Sequence, residues 1–196
     1  MGRTTQTERP AASPRSGGSS TLMRLGALAA LGAVIALVIS PLTTVLAPVS
    51  PPAYAVVASF TMATPMLAAL LVPRFGSATF VAFFTAALLI ATPLGPLLIV
   101  ALTVPALAIE LVLFGARRRS PRPPRINARA LPPVAVWMTA CAAGGLTIGV
   151  LSLAVLSPEV SSPALIALIL VLRVGAYVGI GALVRRLRAQ LHNAGL

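Results

Sequence analysis

The chain has 196 residues, of which 58% are hydrophobic and only 9% charged. That balance excludes a soluble globular domain, which needs far more polar surface to stay dispersed. The formal charge of +12 comes from arginine alone, for there is no lysine. These arginines sit at the ends of apolar runs with no aromatic residues interleaved, which excludes a nucleic-acid-binding stripe and marks membrane topology instead.

Residues 1–21, rich in Ser, Thr, Gly, Pro and Arg, bury too little apolar surface to offset ordering entropy and are expected to form a disordered basic cytoplasmic tail. "AYA" at Ala53–Ala55 resembles a signal-peptidase site. The apolar run Leu25–Ile39 is long for a signal sequence and lies far from it, so no cleavage is expected.

A transmembrane domain then occupies residues 22–190. Six apolar segments run from Leu22 to Leu46, Ala53 to Val72, Gly76 to Ala91, Leu94 to Gly115, Leu131 to Leu156, and Ser162 to Leu187. Each approaches the ~20 residues that a helix needs to cross ~30 Å of hydrocarbon, although the third is short. "TPLGP", Thr92–Pro96, predicts a tight turn between the third and fourth. An Arg/Pro-rich cytoplasmic loop is expected over 116–130, and a terminal tail over 191–196. The expected fold is an all-α integral membrane bundle of six transmembrane helices in the cell membrane.

Arginine sets the number of spans. With six of them and both termini cytoplasmic, every arginine except Arg173 falls on the cytoplasmic side, and the outer loop "SPEVSSP" holds Glu159. Fusing the third and fourth segments into one would place Arg74 and the block beginning at Arg117 on opposite sides.

Two ionisable groups remain inside the apolar runs, Glu110 on the fourth and Arg173 on the sixth. Each costs roughly 3 kcal/mol on insertion scales, so each needs a partner, a cavity or a function. Counted from the outer ends, their depths differ by roughly 7 Å, a gap an arginine side chain covers. Two readings stay open. In one, Glu110 and Arg173 form a buried ion pair locking the two helices. In the other they face a substrate cavity, Glu110 attracting a cationic group and Arg173 an anionic or carbonyl group. Tyr54, Thr61, Thr147 and Tyr177 are further candidates for hydrogen bonding to a substrate, beside Ser59, Thr64, Thr103 and Ser152. Hydroxyls of this kind also bond their own helix backbone. Trp137 is expected as an interfacial anchor near the inner end of the fifth span.

No catalytic, cofactor or metal site can be assembled. Cys141 is a lone cysteine, His192 a lone histidine near the end of a basic tail, and neither a nucleophile elbow nor a Walker A sequence occurs. The chain is therefore not expected to be an enzyme, and any ATP hydrolysis must come from partners. Small residues at spacing four recur on the first span (Gly26 and Ala30, Ala29 and Ala33, Gly32 and Ala36) and on the sixth (Gly175 and Gly179), the pattern that lets membrane helices approach closely.

The stretch Leu70–Arg119 carries Arg-x-Gly at Arg74 and Gly76, "PLG" at Pro93–Gly95, and "ELVLF" at Glu110–Phe114 before the basic loop. With the ending "VRRLRAQLHNAGL", it resembles the substrate-binding S components of energy-coupling factor (ECF) transporters, in particular the YkoE-type proteins linked to thiamine or its hydroxymethylpyrimidine precursor. The resemblance implies a six-helix cup for a vitamin-like molecule, a membrane coupling (T) subunit docked on the first helix at Gly26, Ala29, Ala30, Ala33 and Ala36, and two cytoplasmic ATPases. This chain departs from the family in its third span, where Ala82, Phe83 and Phe84 stand in place of a frequent acid. Two other classes remain: a non-transporting membrane scaffold, and an autonomous secondary transporter, for which inverted repeats with several buried ions are wanting.

Overall fold

The computed structural model describes residues 17–92, 95–119, 131–155 and 162–193. Their helices are α1 (Gly17–Val49), α2 (Pro51–Ser59), α3 (Ala63–Leu71), α4 (Ser77–Leu88), α5 (Gly95–Arg119), α6 (Val134–Val155) and α7 (Pro163–Asn193). A 3-10 turn at Phe60–Met62 joins α2 to α3 as one span, so the bundle has six membrane helices. The turn has a local cause. Pro65 has no N–H to give the Thr61 carbonyl, and the backbone tightens before it.

Five spans are long and apolar enough to cross a bilayer, whereas α4 has 12 residues and reaches only about 18 Å. The third segment is thus shorter than its apolar pattern. After Leu88 the chain leaves the helix through three-residue steps, Leu89 N–H to Ala86 O and Thr92 N–H to Leu89 O, because Thr92 precedes Pro93 and is steered away from helical torsions. Helices α4 and α5 are separate and packed together, which removes the fused, five-span alternative.

The helices also take in residues assigned to tails and loop. Helix α1 begins at Gly17, within the expected tail, α5 continues through Arg119, and α7 reaches Asn193. Residues 1–16, 120–130, 156–161 and 194–196 lie outside the described residues, as do Pro93 and Leu94 of the "TPLGP" turn and Glu159 of the outer loop.

The main core gathers Met62, Met66 and Leu70 of the second span, Ile109 of α5, Trp137 and Cys141 of α6, and Tyr177 and Ile180 of α7. A smaller cluster, Leu25, Ala29, Ala68 and Val81, binds α1 to α3 and α4. Trp137 is fully buried and donates its indole N–H to the Gly181 carbonyl at 2.8 Å, so it is a core residue rather than an interfacial anchor.

Close helix approach depends on glycines other than the expected pair. A Cβ at Gly145 would lie 2.8 Å from the Val174 Cα, one at Gly149 2.6 Å from Leu170, and one at Gly144 2.8 Å from Ile109. Gly175 and Gly179, by contrast, face open space. The reason is register: α7 turns Arg173, Tyr177 and Ile180 inward and carries Gly175 and Gly179 outside.

Among the described residues, the arginines other than Arg173 gather at one end of the bundle. Arg117 donates to the Pro73 carbonyl at 2.7 Å, tying the end of α5 to the α3–α4 connection beside Arg74, and Arg185 near the end of α7 donates to the Pro132 carbonyl just before α6. That end is the cytoplasmic one by the charge rule.

Two outcomes follow from this packing. Gly145→Ala should destabilise the bundle by roughly 1–3 kcal/mol through overpacking, lowering the melting temperature of the purified protein, while Gly175→Ala should leave it unchanged. Because Cys141 is buried and silent, a membrane-impermeant maleimide should label Ser162→Cys in intact cells and Arg118→Cys only after permeabilisation.

Candidate functional site

Glu110 does not pair with Arg173. Its carboxylate lies against the first turn of α4, accepting from the Gly76 N–H at 2.9 Å, the Ala78 N–H, the Thr79 hydroxyl at 2.7 Å and, more weakly, the Ser77 hydroxyl at 3.4 Å. The first turn of α4 has no acid of its own, and its N-cap is a glycine. Such an end leaves backbone N–H groups and a partial positive charge unanswered. Helix α5 answers them with Glu110, which is 4% exposed. Gly76 makes the fit possible, because its φ of +93° is a left-handed torsion that side chains resist.

Arg173 lies nearer the outer side, in the wall of a cavity of about 500 Å³. Helix α1 contributes the largest wall, with Ala36, Ser40, Thr43 and Thr44. The second span adds Tyr54, Ala58 and Thr61, and Leu89 and Thr92 follow the short α4. Leu98 and Leu102 come from the first turns of α5, Ile148 from α6, and Arg173 and Tyr177 from α7. These positions belong to the outer halves of their helices, so the cavity lies away from the arginine-rich end. Arg173 stands ten residues into α7, about 15 Å from its outer end.

Of the expected substrate contacts, Tyr54, Thr61, Arg173 and Tyr177 line this cavity together. Glu110 and Thr147 do not. The Thr147 hydroxyl bonds the Ala143 carbonyl one turn back at 2.8 Å, as Ser152 does with Ile148 and Ser59 with Ala55. Ser40, Thr43, Thr44 and Thr92 were not among the sequence candidates. "SPLTT" at Ser40–Thr44 offered a signal, a hydroxyl cluster beside a proline inside an apolar run.

Arg173 is 4% exposed, and its Nε has no hydrogen-bond partner. The guanidinium carbon sits 5.4 Å from the centre of the Tyr54 ring, a cation–π contact that holds one face of the group. The wall is otherwise apolar or hydroxylic, since Thr43 and Thr44 spend their hydroxyl protons on the Ser40 carbonyl.

The expected docking stripe on α1 divides. Ala29 and Ala33 are buried in the bundle and Ala36 lines the cavity, leaving Gly26 and Ala30 exposed. Gly32 fits where a Cβ would strike the Thr64 and Thr85 hydroxyls.

This six-helix cup has the fold of a transporter's substrate-binding component. It superposes on the crystal structure of an S-component of an ECF transporter with a TM-score of 0.73, covering 90% of this chain and 86% of that one at 21% identity. The family model for the permease component of ABC-type cobalt transport systems matches residues 21–131, more than half of the chain, and the chain belongs to that family. No curated protein matches it. It is a multi-pass membrane subunit of an ABC-type transport system, built on the S-component fold.

Glu110→Ala should destabilise the protein by about 2–4 kcal/mol, since it takes the acceptor from two backbone N–H groups and two hydroxyls at once. Glu110→Gln, which keeps one acceptor, should cost less. Thermal unfolding in detergent checks both, and ligand affinity of the folded fraction should be unaltered by Glu110→Gln.

Proposed function

We propose that the chain is the substrate-binding subunit of an ECF-type importer, capturing a small vitamin or vitamin precursor at the outer face. The observation that carries this reading is the 500 Å³ cavity, which opens among the outer halves of five helices and the turn after α4 and has Arg173, Tyr54, Thr61 and Tyr177 in its wall. Its volume suits a small organic molecule. The cup has no Walker A sequence, so a T subunit and two cytoplasmic ATPases supply the work. Gly26 and Ala30, the exposed members of the α1 stripe, are the positions proposed to meet the T subunit.

Within the expected substrate class, thiamine itself suits the wall poorly. Thiamine carries a fixed positive charge, whereas among the described residues Arg173 is the only charged one in the cavity wall and Glu110 is engaged at α4. A cobalt cargo, which the family's description names, calls for carboxylate, imidazole or thiolate donors. The described wall has hydroxyls and a guanidinium instead.

Equilibrium binding of the purified protein to hydroxymethylpyrimidine, thiamine, riboflavin, biotin and Co²⁺ tests the reading. Saturable binding of at least one organic compound, with none of Co²⁺, is the expected result. Binding of none of them would leave a membrane scaffold as the better description.

A further inference from the structure

We infer that the substrate is a small organic anion whose acidic group is held by Arg173, an inference that rests on the cavity being the capture site. Three independent observations converge on that group.

The first is burial without a counter-ion. Arg173 is 4% exposed within the bundle, and among the described residues the one buried acid, Glu110, is engaged at the N-terminus of α4. A buried guanidinium in a low-dielectric wall is costly until an anion meets it. The second is the vacant donor: Nε has no partner in the protein, although the side chain borders a cavity large enough to hold a ligand. A guanidinium edge presents two parallel N–H groups, which match a carboxylate or phosphate better than a single carbonyl. The third is the setting. Tyr54 fixes the guanidinium from one side at 5.4 Å, so the donor is held in place before the ligand arrives. The remaining wall, Leu37, Ile39, Leu98, Leu102 and Ile148, is aliphatic and suits a compact apolar body behind the acidic group.

The same arrangement selects against cations. With no carboxylate in the described wall, a cationic ligand gains no counter-charge and faces Arg173 in a medium that screens poorly. Neutral amides isosteric with the acid lose the charge-assisted pair while keeping every apolar contact, so acid and amide form the sharpest comparison.

Matched pairs provide the test: nicotinate against nicotinamide and biotin against biotinamide, with hydroxymethylpyrimidine against its monophosphate for the phosphate form. Binding to the purified full chain is measured by calorimetry, with thiamine and riboflavin as reference ligands. In at least one pair the anion should bind about 30- to 100-fold more tightly than its neutral partner. Arg173→Met should erase that preference, and Arg173→Lys, which keeps the charge but loses the fork, should retain part of it. Which pair shows the preference tells carboxylate from phosphate. Equal binding of anion and neutral partner, binding of thiamine or riboflavin with none of the anions, or an unchanged preference in Arg173→Met would each overturn the inference and leave the capture reading standing. Failure of every compound to bind would overturn the capture reading itself, and this one with it.

Discussion

The N-terminus of a short helix buried among its neighbours sets the terms for this bundle. Helix α4 starts three residues after Arg74, and its first turn has neither an acid nor a capping side chain of its own. Glu110 reaches across from α5 and accepts from four donors there. One carboxylate thereby satisfies the helix end, neutralises its dipole and joins α4 to α5. The Arg117 bond to Pro73 and the tilted stack of Phe75 on Phe114 close the same junction from the cytoplasmic side.

A helix anchored so firmly at its inner end can stop early at the outer one. Because α4 ends at Leu88, the outer part of its course is taken by the turn through Thr92, and the space beside that turn belongs to the cavity. The opposite wall is held by close contact between α6 and α7, where Gly145 admits the backbone at Val174 and Gly149 admits Leu170. That contact fixes the face of α7 on which Arg173 and Tyr177 point inward. The two intramembrane ions thus do separate work, one holding the inner junction and the other bordering the outer cavity.

This division bears on how such a subunit works. A chain with no ATP-binding sequence can only equilibrate its ligand unless other subunits drive it, so the contribution proposed for this one is selectivity. Selectivity in a largely apolar wall comes from the few groups that are polar and pre-positioned. In the cavity wall the polar groups are a guanidinium braced by an aromatic ring and hydroxyls on α1 and at the turn Phe60–Met62, and these are the groups proposed to select the ligand.

Membrane class, six helices and the clustering of arginine at one end were legible in the sequence, because apolar length and charge placement report on a solvent common to every residue. Tyr54, Thr61, Arg173 and Tyr177 were also legible as cavity candidates, since polar groups in an apolar run need a reason to be there. The partner of Glu110 was not: two opposite charges at similar depth suggest a pair, and nothing along the chain reveals that a helix end 32 residues earlier in sequence presents better donors. The packing glycines of α6 were hidden for the same reason, as spacing four occurs both at Gly175 and Gly179, which face outward, and at Gly145 and Gly149, which touch α7. By itself the sequence determined that these groups had to be satisfied. Only the tertiary structure decided by which partners, because helix rotation and the meeting of distant ends are set by the packing of all six spans together.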